Sequence, residues 1–151
     1  TNVKAVFFLI QQAVPHLEIS RGTIVIVSSM LSELAASPSL IYPMSKAAID
    51  HLTRCLALDL GPSGVRVNSV NPSFIPTRIR RLFGGDVDCD ADNWASIEAA
   101  KQPLAHRIGT PEDVAEAVAY LVSDAAGFVT GQHLKIDGGR TFGGPYGQPP
   151  E

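Results

Sequence analysis

The apolar positions of this chain change period repeatedly, and each change marks an element. From Val3 to about Glu18 the chain is apolar nearly all round, which predicts a helix buried on more than one side, with Pro15 weakening its last turn. Gly22 introduces Thr23-Ile24-Val25-Ile26-Val27-Ser28, a β-branched run without polar alternation, the pattern of a parallel strand covered on both faces. After a loop containing Pro38, Pro43 to Leu60 predicts a long helix stopped by Gly61-Pro62, a glycine C-cap signal followed by a residue that cannot continue. Val65 to Asn71 is a second strand, ended by Pro72. Residues 73 to 109 are mixed, with Gly84-Gly85, the acidic Asp86, Asp88, Asp90 and Asp92, and a short helix expected around Trp94 to Lys101. Thr110-Pro111-Glu112-Asp113 starts another helix, Thr110 as N-cap and Pro111 at the first helical position, leading into the stripe Val114, Ala117, Val118 and Leu121. His133 to Asp137 is the third strand, and Gly138 to Glu151 reads as a mobile Gly/Pro tail.

Helices alternating with strands imply parallel strands joined by right-handed crossovers, so the class is α/β. There is no internal repeat and no linker. Three strands are few for a doubly wound sheet, whose ligand crevice lies where two halves meet. Residues 1–151 therefore read as a single partial domain, with residues 140–151 as a flexible tail. Thr1 leads directly into the apolar helix without a methionine, which reads as a cut end.

Composition narrows the function classes. The 151 residues are 45% hydrophobic and 18% charged, enough apolar surface for a packed core. A formal charge of -3 gives no general attraction to nucleic acid or anionic membrane, and the one basic cluster, Arg78, Arg80 and Arg81, is short. Cys55 and Cys89 lack CxxC spacing and read as a core thiol and a loop thiol; four histidines form no HxxH pattern, so no metal site is expected. The longest apolar run, Ala5 to Ile10, is far short of a membrane span. A soluble, cytoplasmic protein acting on a small molecule is the expectation.

The chemistry lies in residues 28 to 46. Ser29 stands thirteen positions before Tyr42, and Lys46 four after it. By composition alone a Tyr-x-x-x-Lys arises with a chance of roughly one in twelve, so the spacing needs its context. Ser29 falls just past the C-terminal end of a parallel strand, where open α/β sheets bind ligands, and Tyr42 and Lys46 fall at the start of the next helix. Residues four apart share a helix face, and an ammonium beside a phenol favours the phenolate, the basis of an acid/base pair. Pro43 biases the residue before it away from helical dihedrals, which would make Tyr42 a cap residue. Taken singly, Asn2 fits a helix N-cap, Ser29 a strand-end turn, Lys46 a solvated lysine and Thr77 a cap.

Tyr42-Pro43-Met44-Ser45-Lys46, with Ser29 thirteen before the tyrosine and Asn2 twenty-seven before the serine, resembles the catalytic tetrad of the classical short-chain dehydrogenase/reductases. Val67 to Pro72, Arg107 to Ala115, Thr130-Gly131-Gln132 and Ile136-Asp137-Gly138-Gly139 resemble later segments of the same family in the same order, so the likeness covers residues 2 to 139. It is closest to the 3-oxoacyl-carrier reductase and alcohol dehydrogenase members. The resemblance implies a Rossmann-type doubly wound sheet, NAD or NADP as cofactor, carbonyl and secondary alcohol as substrate and product, and a homo-oligomer. It makes Tyr42 the general acid or base, Lys46 the holder of the nicotinamide ribose and the residue that favours the phenolate, Ser29 the donor to the substrate oxygen, and Asn2 the anchor of a relay water. Pro72, Ser73, Ile75 and Thr77 fall where the family contacts the nicotinamide, carboxamide and phosphates, with Ser73 standing where glycine is common.

The glycine-rich turn that opens such a domain has no counterpart here, and neither has the residue that selects NAD or NADP. The chain thus reads as the C-terminal part of the domain, with the N-terminal dinucleotide-binding half missing. The alternative is a non-catalytic association module derived from the family. In that reading the helices at 3–18 and 43–60 pair with their twins in a neighbouring subunit, through apolar residues including Ile49, Leu52, Leu56 and Leu60.

Overall fold

A computed structural model describes residues 2–35, 40–77 and 91–142. Seven main elements follow in order: α1 (Asn2–Ser20), β1 (Thr23–Val27), α2 (Ile41–Leu60), β2 (Arg66–Pro72), α3 (Ala91–Ala99), α4 (Pro111–Val122) and β3 (His133–Ile136). The three strands form one parallel sheet in the order β1-β2-β3. Thr23 stands opposite Arg66 and Val27 opposite Val70, while Ser69 stands opposite His133 and Pro72 opposite Ile136. The α/β class and parallel pairing expected from the sequence are present.

β2 occupies the centre because it alone is apolar or internally bonded on both faces. Successive residues of a strand point to opposite faces. Val67 joins Ile10, Ile26, Ile49, Ala57 and Leu60 in the core under α1 and α2, and Asn71 on the same face bonds Asp50 of α2. Asn68 points the other way, donating to the carbonyl of Val129 beyond α4 and accepting from the N–H of Gln132. Helices therefore cover both faces of β2, α2 on one and α4 on the other.

Polar side chains close the ends of the helices. Thr110 caps α4 by accepting from the Asp113 N–H while Asp113 accepts from the Thr110 N–H at 2.8 Å, a reciprocal capping box with Pro111 at the first helical position. Arg66 donates to the carbonyls of Leu121 and Ser123 at 2.9 and 3.3 Å, satisfying acceptors that the last turn of α4 leaves open.

Several expectations are corrected. α1, expected from residue 3 to about 18, runs two residues further, to Ser20, with Pro15 inside it. α2 starts at Ile41 and carries Tyr42 and Pro43 within its first turn, closed by the Met44 N–H bonding the Leu40 carbonyl at 3.2 Å. A first-turn proline forfeits an N–H that had no helical partner, which is why Tyr42 is helical and not a cap. Gly61 is right-handed; a 3-10 turn, Gly61–Ser63, extends the helix, and the left-handed stop is Gly64 at φ 80°. The short helix expected at Trp94 to Lys101 lies at Ala91–Ala99.

β1 is not covered on both faces among the described residues. Only Ile26 is buried, and Val27 is 58% exposed. The association face proposed for α2 also points elsewhere: Ile49 and Leu60 are core residues, and Leu56 packs against that core. Ile41, Met44 and Leu58 are the exposed apolar residues of α2. Cys55 is an exposed free thiol, not a core one.

The tail is ordered at its start. Gly138 and Gly139 adopt φ 58° and 86°, a tight turn that side chains rarely allow, and Asp137 caps it through the N–H groups of Gly139 and Thr141. Arg78, Arg80 and Arg81, Asp86 to Asp90, Cys89 and the tail from residue 143 lie outside the described residues.

Candidate active site

The site forms where β1 ends. The Ser28 N–H continues the ladder to the Val70 carbonyl at 2.8 Å, which delivers Ser29 at the C-terminal edge of the sheet. Ser29 is extended (φ -166°, ψ 154°) and starts the 3-10 turn Met30–Ser32, its Oγ accepting from the Leu31 N–H at 3.2 Å. That bond leaves the hydroxyl proton free to donate. The Ser29 carbonyl accepts from Ser32 Oγ at 2.8 Å and Asn71 Nδ2 at 3.3 Å, so this loop is held from two sides.

The first turns of α2 supply the phenol and the ammonium. Lys46 Nζ donates to the Val27 carbonyl at 2.9 Å and lies 5.6 Å from the centroid of the Tyr42 ring. Burial draws the Lys46 ammonium below the ordinary lysine pKa, and the negative charge of Asp50, one turn further along, opposes that shift. The Tyr42 carbonyl accepts from Ser45 Oγ at 2.7 Å, and Ser45 Oγ in turn accepts from Asn2 Nδ2 at 3.2 Å. Asn2 thus ties the start of α1 to the first turn of α2.

One cavity of about 560 Å³ gathers most of the predicted residues. Ser29, Tyr42, Lys46, Pro72, Ser73, Ile75 and Thr77 all line it, with Met30, Leu31, Phe74 and Val114 making its walls largely apolar. Asn2 is absent from that lining and reaches the site only through Ser45. A second cavity of similar volume opens beyond β3, and none of the predicted residues lines it. Among the described residues there is no cluster of His, Cys, Asp or Glu that could hold a metal ion, and no helix long and apolar enough to cross a membrane.

Sequence reasoning missed Asp50 and Asn71, which are 4% and 0% exposed and bonded to each other at 2.7 Å. Asp50 carried a signal, standing four residues after Lys46 on the same helical face. Asn71 carried none, because an asparagine near a strand end is ordinary.

A parallel sheet with helices on both faces and a cavity beyond the C-terminal ends of the strands is the architecture of a dinucleotide-binding fold. Residues 1–141 match the family described as enoyl-(acyl carrier protein) reductase, and the chain belongs to the short-chain dehydrogenase/reductase family. It is 42% identical over 120 residues to the cis-4-hydroxycyclohexanecarboxylate dehydrogenase of Sinomonas cyclohexanicum, covering 80% of this chain and 45% of that protein. The ligand-free aldohexose dehydrogenase of Thermoplasma acidophilum superposes with a TM-score of 0.88 at 33% identity, covering 99% of this chain and 60% of that one. A gluconate 5-dehydrogenase from Burkholderia cenocepacia, solved with NADP and tartrate, superposes with a TM-score of 0.82 at 27% identity, covering 93% and 53%. The chain spans about half the length of the curated relatives it matches.

Proposed function

We propose that this chain carries the catalytic part of an NAD(P)-dependent oxidoreductase that interconverts a carbonyl and a secondary alcohol on a small molecule. The observation that carries the reading is the single cavity on which Ser29, Tyr42 and Lys46 meet the segment from Pro72 to Thr77. A hydroxyl with a free proton, a phenol and a half-buried ammonium around an apolar space are the donors needed to hold and protonate a carbonyl oxygen. The named relatives act on hydroxyl-bearing compounds, which fits that substrate class.

In this reading Ser29 Oγ donates to the substrate oxygen and Tyr42 gives or takes its proton. Lys46 sets its ammonium beside the Tyr42 ring, and Asn2, through Ser45, fixes the turn that bears Tyr42. The cavity suits the nicotinamide end of a dinucleotide: Lys46 offers N–H donors to a ribose, and Ser73, Ile75 and Thr77 offer a mixed polar and apolar wall. When bound, that cofactor supplies or accepts the hydride. The protein's part is orientation, exclusion of water by the apolar walls, and proton transfer at Tyr42.

The adenosine end is left to residues outside this sequence, in keeping with the share of its relatives that the chain spans. The same reading makes the assembled protein a cytoplasmic homo-oligomer, with Phe7, Phe8 and Leu9 of α1 as candidate contact residues because they are 47, 50 and 72% exposed. Tyr42→Phe in the full-length gene product is the test, assayed against a panel of secondary alcohols and ketones with NAD and NADP. The ring packing stays and the transferable proton goes, so turnover falls by about 100-fold or more while NADH or NADPH still binds. Near-normal turnover would refute the assignment.

A further inference from the structure

Behind the Ser29 loop and α2 lies a polar chain, buried at Asp50, Asn71 and Ser69 and ending at the exposed Arg54, that the proposed chemistry does not use. Asn71 Nδ2 stands 2.7 Å from Asp50 Oδ2, 3.0 Å from Ser32 Oγ and 3.3 Å from the Ser29 carbonyl. Two amide hydrogens face three acceptors, so one hydrogen is shared. On the other side, Ser69 Oγ lies 2.8 Å from Asn71 Oδ1 and 2.8 Å from His133 Nδ1. His133 Nε2 is 2.8 Å from a guanidinium nitrogen of Arg54.

The donor order in this chain follows from chemistry. A guanidinium has no lone pair to offer, so His133 Nε2 accepts and the ring proton sits on Nδ1. The Nδ1–H then donates to Ser69 Oγ, whose own proton goes to Asn71 Oδ1. With its oxygen so engaged, Asn71 turns its NH2 toward Asp50 and the Ser29 loop. The opposite tautomer would reverse every step and set an amide oxygen against the Asp50 carboxylate. Burial also holds His133 below the ordinary histidine pKa, against the pull of Asp50, which favours the neutral ring that this order needs.

We infer that Asp50 and Asn71 are positioning residues for the reaction, clamping the Ser29 loop to the helix that carries Tyr42 and Lys46. Asp50 lies one turn beyond Lys46 on α2, and Asn71 sits on β2 between that helix and the loop. The amide bonds both, so it sets the separation at which Ser29 and Tyr42 can share one substrate oxygen. Both residues are buried, which leaves them without water as an alternative partner. The inference rests on the proposed roles of Ser29 and Tyr42.

The test uses the full-length gene product carrying Asn71→Ala, Asp50→Ala or Asp50→Asn, with Tyr42→Phe in parallel. Turnover with the alcohol that scores in the substrate panel is compared with NADH or NADPH affinity from fluorescence titration. The two alanine variants lower kcat roughly ten- to hundredfold, because small misplacement of reacting groups costs that much, while cofactor affinity and KM hold. Asp50→Asn recovers most of the loss, since its amide oxygen still accepts from Asn71. Unchanged kcat in both alanine variants, beside a Tyr42→Phe variant that has lost turnover, overturns the clamp and leaves the Tyr42 assignment standing. Normal turnover in Tyr42→Phe removes the functional reading and the clamp with it.

A second readout needs no mutant of the clamp to fold and no substrate. Nitrogen-15 NMR of the histidine rings, with His133 assigned by its loss in His133→Gln, reports the tautomer directly. A neutral ring protonated at Nδ1 is expected at pH 7.5. A ring protonated at Nε2 would reverse the donor order and overturn the proposal.

Discussion

Lys46 Nζ donates to the carbonyl of Val27 at 2.9 Å, so the second turn of α2 is fastened to the last residue of β1. The bond sets the ammonium beside the Tyr42 ring at the C-terminal end of the sheet, where a half-buried charge acts on its neighbours with little screening by water. Replacing Lys46 by Met removes that charge and keeps most of the stem. Without it the cavity loses the cation beside the Tyr42 ring, so turnover falls. Cofactor affinity falls as well, through lost ribose contacts. Steady-state kinetics and NADH titration check this, and unchanged values for both would return Lys46 to the role of a solvated lysine.

Acid stability should depend on Asp113 and Asp137. The bond from Arg107 and the Thr110 N–H hold the Asp113 carboxyl well below the ordinary range. Burial opposes ionisation of Asp137, and the bonds from Thr141 and Gly139 outweigh it, so that carboxyl is depressed too. A carboxyl depressed in the folded state stabilises above its unfolded pKa, about 3.9, and that stability is lost as pH falls through the folded value. Urea unfolding of wild type and Asp113→Asn between pH 6 and pH 2 should show the variant less stable at pH 6 and the gap closing below about pH 4. A gap that stays constant would mean the pairing contributes nothing.

Two substitutions on α2 separate its inner and outer faces. Ile49 is 1% exposed in the core, so Ile49→Ala should cost about 2–5 kcal/mol. Cys55 is exposed, and Cys55→Ser should stay within about 0.5 kcal/mol of wild type. Denaturant midpoints measure both. Equal effects would contradict the orientation of the helix.

Thr110→Ala removes the hydroxyl that accepts from the Asp113 N–H. About 1 kcal/mol of stability should be lost, and Thr110→Ser should restore most of it. Thermal unfolding of the pair checks the cap.

The 151 residues expressed alone should self-associate and show no saturable NADH or NADPH binding at micromolar concentration. β1 has a free edge among the described residues, Val27 is 58% exposed, and Phe8 and Leu9 add apolar surface nearby in sequence. Light scattering and fluorescence titration test both halves. A monomer that binds cofactor would show that these residues suffice for the whole site.

The sequence by itself determined the elements and the spacing of the candidate site residues. Thr23 to Val27 is a strand because a β-branched run with no polar alternation fits a sheet. Arg66 to Asn71 carries Asn68, Ser69 and Asn71 beside its valines, and their side chains are bonded within the fold. Thr110-Pro111 marks a helix start because its hydroxyl and missing N–H answer the unpaired donors of a first turn, a strictly local matter. The spacing of Ser29, Tyr42 and Lys46 was legible for the same reason: strand end and helix start are local signals, and four residues make one turn. Only the tertiary structure decided how these pieces face one another. Ile49 and Leu60 turn inward and Ile41 and Met44 outward because α2 packs on β2 along one stripe, and its rotation about its own axis is set by that partner. Asp50 meets Asn71 across 21 positions of sequence because the alternation of β2 points that amide at α2, where a buried amide and a buried carboxylate oxygen gain from bonding each other.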